Sequence, residues 1–115
     1  MIAVIFEVEP AEGQEGAYLD VAADLRPRLE EVDGFVSVER FRSIANPGKI
    51  LSLSFFDSEA AVADWRNRHE HRRAQAMGRG GVFARYRLRI AHVVRDYGLS
   101  ERVEAPEDSK KIFAE

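Results

Sequence analysis

The middle of the chain, residues 35–56, reads FVSVERFRSIANPGKILSLSFF and has the composition of a β-hairpin. Both ends of this stretch are rich in Val, Ile, Leu and Phe, which favour the pleated, half-buried surface of a strand. Between them, an Asn-Pro-Gly sequence at 46–48 combines three residue types that favour tight turns. The pattern therefore predicts a strand over 35–43, a turn, and a second strand over 50–56.

A strand and a helix are predicted on the N-terminal side of this hairpin. Residues 2–8 alternate in hydrophobicity with a period of two, as a half-buried strand does. The next apolar residues recur at steps of four, three, four and three, the spacing of an amphipathic helix: Tyr18, Ala22, Leu25, Leu29 and Val32. Pro27 lies within this helix, and because proline removes an interior hydrogen bond, we expect a kink or a second short helix there. Gly34 is expected to cap the C-terminal end.

The C-terminal side of the hairpin predicts a second helix and a last strand. Asp57 or Ser58 can cap this helix, which carries Trp65 and continues, with or without a break, to Met77. Glycines at 78, 80 and 81 then end it. Alternation over 86–94 predicts a strand with one apolar face and one arginine face. The apolar face consists of Tyr86, Leu88, Ile90, His92 and Val94.

These elements follow one another in the order β-α-β-β-α-β, which is the order of the ferredoxin-like fold. The predicted fold class is therefore α+β, with a four-stranded antiparallel sheet and both helices on one of its faces. We expect residues 1–98 to form this domain. Residues 99–115 are polar and lack a clear period, so we interpret them as a tail that is either disordered or leans on another surface.

The sheet face opposite the helices is predicted to be apolar and uncovered. Alternation assigns Val36 and Val38 to this face, with Phe35 and Phe41 on the other. The third strand adds one of two alternating sets, either Leu51, Leu53 and Phe55 or Ile50 and Phe56. An uncovered apolar face of this size favours sheet-to-sheet packing with a second copy, so a homodimer is expected.

Composition excludes several classes of site and location. The chain has 115 residues and no Cys, so disulfides, thiolate metal sites and cysteine nucleophiles are excluded. The first apolar run is too short for a signal peptide or a membrane span, so a cytoplasmic location without membrane attachment is expected. The net charge is -3, with acidic residues concentrated in 1–33 and arginines in 65–95. We interpret this asymmetry as acidic and basic elements that lie side by side or meet across a dimer, rather than as a nucleic-acid surface.

Residues 65–79, WRNRHEHRRAQAMGR, are the strongest candidates for chemistry. His71 can shuttle a proton near neutral pH, and Trp65 can form the wall of an aromatic-substrate pocket. The alternative interpretation is a core Trp followed by solvated surface His side chains. His92, in the apolar stripe of the last strand, is either a buried structural His or a base that faces a ligand cavity. His69 and His71 are two residues apart and no carboxylate set accompanies them, so no metal site is predicted.

Several segments together resemble the antibiotic biosynthesis monooxygenase (ABM) domain family. They are VIFEVEP (4–10), GFVSVERFRS (34–43), LSLSFF (51–56), WRN…HRRAQ…GR (65–79) and FARYRLRIAHVVRDYG (83–98). The resemblance covers about residues 1–98 and is closest to small bacterial members without an assigned reaction. It implies a dimeric α/β barrel built from two ferredoxin-like sheets.

Some members of this family oxygenate aromatic polyketides with O2 and no flavin, metal or haem, because the substrate carbanion itself reduces oxygen. The resemblance thus implies a cofactor-independent monooxygenase that acts on a small aromatic, polyketide-like or quinol-like substrate. In such members a helix Trp lines the pocket together with polar groups, and Trp65 matches this Trp. His71 is the nearest candidate base, with His92 as the alternative, and Asn67 and Arg72 are candidate substrate-binding residues.

Two other functions stay open. Other family members bind and degrade haem through an Asn on the first strand, a helix Trp, and a His about three turns after that Trp. This chain has Phe6 or Glu7 at the first place and Ala74 or Gln75 at the last, so haem chemistry is not favoured. The same fold can also serve as a non-catalytic dimer that binds a small ligand, since fold does not imply function.

Overall fold

The computed structural model describes residues 1–70 and 80–109. Its elements are β1 (Ile2–Pro10), α1 (Glu15–Glu30), β2 (Phe35–Arg42), β3 (Ile50–Phe56), α2 (Glu59–Trp65), a π-helical segment (Arg66–Glu70) and β4 (Phe83–His92). The β-α-β-β-α-β order expected from the sequence is confirmed. The predicted strand over 50–56 matches β3 at both ends, whereas the last strand begins three residues earlier than expected, at Phe83.

Within the described residues, four antiparallel strands form one sheet in the order β2-β3-β1-β4. β1 lies in the centre, where Ile2 pairs with Phe56 of β3 on one side and with His92 of β4 on the other. Because side chains alternate along a strand, residues that pair across strands share a face of the sheet. The even-numbered residues of β1, of β3 and of β4 from Arg85 onward therefore lie on one face and the odd-numbered residues on the other. Phe83 pairs with Pro10 across a register shift and so joins the even-numbered face.

Both helices pack on the even-numbered face. Leu29 of α1 and Val62 of α2 join Ile2, Val38 and Phe56 of the sheet in one hydrophobic cluster. All five side chains are buried, and burial of a large aliphatic or aromatic side chain stabilises the fold by roughly 1.5–3 kcal/mol. The prediction of a ferredoxin-like α+β fold with the helices on one side is thereby confirmed.

The expectation that Val38 belongs to the uncovered face is wrong. A β-bulge between Phe35 and Ser37 gives β2 one extra residue relative to β3. The bulge shifts the alternation, so that Phe35 and Val38 both pack against the helices, while Val36 is 46% exposed. The uncovered face instead receives Leu51, Leu53 and Phe55 from β3 and Phe41 from β2.

α1 is a single helix that continues through Pro27, so no second helix begins between residues 27 and 34, all of which are described. Its C-cap is Glu31 and not Gly34. Gly34 instead connects the helix to β2 with a φ of +91°, and a Cβ placed there would lie 2.9 Å from the Cβ of Ala61. Glycine is required here both by the backbone conformation and by the close approach of α2.

α2 begins where the sequence indicated and is short. Ser58 is its N-cap, and the hydroxyl of Ser58 accepts a hydrogen bond from the backbone N–H of Ala61 at 3.2 Å. The helix ends at Trp65, and residues 66–70 continue with π-helical geometry. The break allowed for in this helix thus falls directly after Trp65, whereas the predicted continuation to Met77 lies outside the described residues. In the part of the chain that is described, no helix is long and apolar enough to cross a membrane.

The acidic and basic parts of the chain meet within the sheet. Glu7 of β1 pairs with Arg89 of β4 at 2.7 Å and with Lys49 at 3.1 Å, and Glu9 pairs with Arg85 at 2.9 Å. Hydrogen bonds from Lys49 and then Arg89 hold the pKa of Glu7 below its ordinary value. The interpretation of the charge asymmetry as acidic and basic elements lying side by side is confirmed for these strands.

The residues that follow β4 fold back locally. Arg102 donates a hydrogen bond from its Nη1 to the carbonyl oxygen of Gly98 at 2.9 Å, and its guanidinium carbon lies 5.2 Å from the ring centroid of Tyr97. Ala105 is 5% exposed. The first part of the predicted tail therefore makes local contacts, including a favourable cation–π interaction between Arg102 and Tyr97.

Candidate functional site

A cavity of about 340 Å³ lies between the helices and the sheet, and residues of two hydrophobic clusters line it. One cluster joins the end of α1 to α2 and the sheet: Ile2, Leu29, Val32, Val38, Phe56, Ala61 and Val62. The other lies near the start of α1: Val8, Tyr18 and Ile50. Because ligand sites are concave and mostly apolar, a space of this size beside two packed clusters is a candidate ligand site.

The floor of the cavity is apolar towards β1 and β4. Val4 and Phe6 of β1 stand beside Ile90 and Leu88, their partners on β4. The ring centroid of Phe6 lies 5.8 Å from that of Phe83 in an edge-to-face arrangement. A wall of this kind favours the hydrocarbon or aromatic part of a ligand, because burial removes apolar surface from water on both sides.

The floor is polar towards β2 and β3. Arg40 of β2 pairs with Ser52 of β3, and Ser54 lies two residues further along the same face of β3. The Nε of Arg40 is buried and, within the described residues, has no hydrogen-bond partner. A buried donor without a partner costs about 1–3 kcal/mol, and more when the group is charged. This corner therefore favours a ligand that accepts a hydrogen bond.

Trp65 lines the cavity from the helix side, where α1 contributes the buried Tyr18. Trp65 ends α2, is partly buried, and packs against the cluster that contains Val62. The π-helical segment begins at the next residue, Arg66, which also lines the cavity. π-Helical turns are rare in proteins overall, but those that occur are often found at functional sites.

The other predicted site residues have different positions. Asn67 is exposed in the π-helical segment, and His92 is exposed at the end of β4; neither is among the described residues that line the cavity. His71 and Arg72 lie outside the described residues. The assignment of His71 as a base and of Arg72 as a substrate contact therefore stays a prediction.

The described lining supplies hydrogen-bond donors and positive charge. None of the described residues that line the cavity is an Asp, Glu or His. The polar groups among them come from Arg, Ser, Tyr and Trp side chains, and Arg and Tyr are normally protonated at neutral pH. Such groups stabilise an anion rather than remove a proton. Within residues 1–70 and 80–109, no three His, Asp or Glu side chains come together in a way that could hold a metal ion.

Comparison with known proteins identifies the family. The family model for antibiotic biosynthesis monooxygenases matches residues 1–77, well over half of the chain. The chain belongs to the antibiotic biosynthesis monooxygenase family. Jasmonate monooxygenase ABM of Pyricularia oryzae is 43% identical over 106 residues, which are 90% of this chain and 49% of that protein. This ABM protein thus spans about half the length of that relative.

Two further matches extend this result. The uncharacterized protein YqjZ of Bacillus subtilis is 32% identical over 93 residues, which are 81% of this chain and 79% of that protein. The structure of Rv0793 from Mycobacterium tuberculosis matches with a TM-score of 0.73 at 16% identity, covering 84% of this chain and 98% of that one. At 16% identity this match supports the fold alone, which is the ferredoxin-like α+β fold described above for this ABM domain.

Sequence reasoning did not find the polar corner of this ABM domain. Arg40, Ser52 and Ser54 occupy strands whose other residues are mostly apolar, and none was predicted as a site residue. One feature could have indicated Arg40, because it stands two residues after Val38 and so shares its face of β2. That inference requires the β-bulge to be known, since without it Val38 is assigned to the wrong side.

The first strand of this ABM domain differs from the haem-degrading pattern described above. Phe6, one of the two residues in the place of the expected Asn, lines the cavity with an aromatic ring. Glu7, the other, lies on the opposite face of the sheet, where it pairs with Lys49 and Arg89. The first strand therefore offers the cavity no side-chain amide at this place. Residues 74 and 75, where the His would be expected, lie outside the described residues.

Proposed function

We propose that this protein is a cofactor-independent monooxygenase that binds a small aromatic, polyketide-like or quinol-like substrate in the cavity beside Trp65. The observation that carries this proposal is a largely apolar cavity between sheet and helices in a member of a monooxygenase family. The Pyricularia oryzae relative is named as a monooxygenase of jasmonate, a small organic molecule. Its 43% identity supports the same class of reaction here.

The dimensions and lining of the cavity suit this reaction. Its volume of about 340 Å³ lies near the lower end of the range of small-molecule sites, roughly 300–1,000 Å³. The apolar wall of Val4, Phe6 and Leu88 excludes water from the side of the substrate that contacts it. Exclusion of water matters because a substrate carbanion that meets water takes up a proton before it can react with O2.

The proposed chemistry balances without an external reductant. The substrate loses a proton from an activated C–H or phenol group, and the resulting carbanion transfers electrons to O2. When the reacting carbon is a CH2 group, one oxygen atom becomes a carbonyl oxygen and the other leaves as water. Arg40 and Ser52 supply donors that stabilise the anion, and His71 is the proposed proton acceptor.

We further propose that the protein acts as a homodimer joined through the uncovered sheet face. Ile5 and Leu53 are cross-strand partners on this face, and neither helix covers it. Leu53→Asp would place a charge in the interface, whereas Ile44→Asp alters a turn residue that is 100% exposed. Light scattering should report a dimer for the wild type and Ile44→Asp and a monomer for Leu53→Asp. A wild-type protein that is monomeric at micromolar concentration would refute this assembly.

The activity is tested by O2 uptake with metal-stripped protein and, in separate assays, an anthrone, a quinol and jasmonate. We expect the wild type and the exposed-site control Ile44→Ala to accelerate uptake with at least one of them. His71→Ala should lose about 10²–10⁴-fold, the contribution of a positioned general base. Trp65→Ala should raise KM, because it removes an aromatic wall of the site. Saturable binding of these compounds without any acceleration would support the alternative function, a ligand-binding dimer without catalysis.

A further inference from the structure

The cavity has a polar end and an apolar end. In the sheet, Arg40 pairs with Ser52, Ser52 with Phe6, and Phe6 with Leu88, so these four residues form one row across all four strands on the helix-covered face. All four line the cavity. Neighbouring strands are about 4.8 Å apart, so the row extends about 14 Å from the guanidinium-bearing strand to the opposite edge. A ligand lying along the row meets a cation, then a hydroxyl, then an aromatic and an aliphatic side chain.

Among the described residues, Arg40 lacks the carboxylate partner that two nearby arginines have. Arg42, two residues later on β2, pairs with Glu15 at 2.7 Å, and Arg26 on α1 pairs with Glu30 at 3.1 Å. Within the described residues, no carboxylate pairs with Arg40, and its Nε is buried without a hydrogen-bond partner. Arg40 therefore brings to the cavity wall a positive charge that no described carboxylate compensates, and an anionic ligand would compensate it.

We infer that the substrate is an amphipathic carboxylate, bound with its carboxylate group on the guanidinium of Arg40 and its apolar body along Phe6 and Leu88. The inference deepens the proposed function and rests on it for the role of the site. A guanidinium presents pairs of parallel N–H groups, which match the two oxygens of a carboxylate. The hydroxyl of Ser52, the cross-strand partner of Arg40, is placed to donate a further hydrogen bond.

Other ligand classes fit this corner less well. A neutral ketone or amide would accept a hydrogen bond but leave the guanidinium charge without compensation. The absence of Asp and Glu among the described lining residues means that no protein carboxylate competes for the same position. The jasmonate named for the Pyricularia oryzae relative is itself the anion of a carboxylic acid, which agrees with this class.

The test compares carboxylates with neutral molecules of the same shape. Trp65 is the only Trp of the chain and lines the cavity, so its fluorescence reports binding directly. The probes are octanoate against octanamide and jasmonate against methyl jasmonate, titrated without O2. We expect each acid that binds to have a Kd at least about tenfold lower than that of its neutral partner, the effect of one charge-assisted hydrogen bond. Equal affinity within both pairs, or no saturable binding of either acid, would overturn the inference.

Two variants assign the preference to one residue. Arg40→Gln should bring the Kd values of acid and neutral partner to within about twofold, whereas Arg42→Gln, with the same change of charge on the same strand, should keep the preference. An acid preference that persists in folded Arg40→Gln would overturn the inference. If circular dichroism shows that Arg40→Gln does not fold, Ser52→Ala replaces it. We then expect the acid to bind several-fold more weakly than it binds the wild type, while the affinity for the neutral partner stays the same. A Kd for the acid equal to that of the wild type would overturn the inference.

Failure of this inference can be distinguished from failure of the proposed function. Binding of carboxylates through Arg40, with no O2 uptake from jasmonate, the anthrone or the quinol, would refute the monooxygenase function and leave the carboxylate site intact. Oxygenation of neutral substrates, with no preference for acids in the binding titrations, would refute the carboxylate site and leave the monooxygenase function intact. The binding titrations and the O2-uptake assays use the same full-length protein, so each result applies to the same site.

Discussion

Two buried alanines allow the free volume of the cavity to be measured in solution. Ala22 of α1 is 7% exposed and lines the cavity, whereas Ala61 of α2 is 5% exposed and lies in the packed cluster against Gly34. Both residues are helical, so Ala→Leu changes helix propensity equally at the two positions. The substitutions therefore differ in the space that the new side chain meets.

The structure predicts opposite signs for the two changes. Leu adds three carbon atoms to Ala, and about 0.8 kcal/mol for each buried CH2 gives roughly 2.4 kcal/mol. About 0.5–1 kcal/mol of lost side-chain freedom opposes this gain, so Ala22→Leu should raise the free energy of unfolding by about 1–2 kcal/mol. At Ala61 no such space exists, because a Cβ added at Gly34 would already lie 2.9 Å away. Overpacking there should lower the free energy of unfolding by about 1–3 kcal/mol.

The measurement is urea unfolding of both variants and the wild type at one protein concentration, followed by far-ultraviolet circular dichroism. A fixed concentration is required because dimerisation adds to the apparent stability. We expect the two variants to differ by about 2–5 kcal/mol, well above the error of linear extrapolation. Ala22→Leu should also weaken binding of octanoate, since the new side chain occupies part of the ligand volume.

One outcome would refute the reasoning. If Ala22→Leu destabilises the protein as much as Ala61→Leu, the space beside Ala22 is not available to a side chain or to a ligand. A stabilised Ala22→Leu variant with unchanged ligand affinity would keep the cavity but move the binding site elsewhere.

Three further outcomes are expected. Gly34→Ala should lower the free energy of unfolding by about 1–3 kcal/mol, because Gly34 has a φ of +91° and a Cβ there would meet Ala61. The control Gly16→Ala, where an added Cβ has nothing within 4 Å, should raise it by up to about 1 kcal/mol. Equal effects of the two substitutions would contradict the strain argument. The pKa values of Glu7 and Glu15 are lowered in the folded protein, chiefly by hydrogen bonds from Lys49 and Arg42 respectively, so stability should be full above the ordinary carboxyl range and fall as the pH drops through the folded pKa values. Urea midpoints measured between about pH 7 and pH 3 should show this fall, and a level profile would contradict it. Added hemin should give no sharp, saturable Soret shift; stoichiometric binding lost in His71→Ala would contradict the departure from the haem-degrading pattern.

The order of elements followed from local patterns in the sequence. The hairpin over 35–56 was predictable because β-branched and aromatic residues flank an Asn-Pro-Gly turn, and both signals act between near neighbours. The N-cap at Ser58 followed from the same kind of local chemistry, since a hydroxyl satisfies the first free N–H groups of a helix. Charge alone indicated that acidic and basic elements lie side by side or meet across a dimer, and the pair of Glu7 and Arg89 shows the first arrangement within one chain.

The faces of the sheet did not follow from alternation. The bulge between Phe35 and Ser37 adds one residue to β2, and with a side-chain period of two this transfers Val38 and Arg40 to the helix-covered face. A bulge is a property of two paired strands, so the sequence of one strand does not reveal it. Of the two outcomes expected at Pro27, a second helix does not occur, because α1 continues through the proline and Leu29 beyond it packs in the hydrophobic cluster.

By itself, the sequence determined the βαββαβ order, the family resemblance and Trp65 as a candidate wall of the site, since each depends on residue type and spacing along the chain. Tertiary structure alone decided that Arg40, Ser52, Phe6 and Leu88 form one row on the same face of the sheet. These residues come from four strands, and only the pairing register brings them onto one face. The cavity was likewise not predictable from the sequence. Its volume depends on how two clusters from distant segments pack around it, and no single segment encodes that packing.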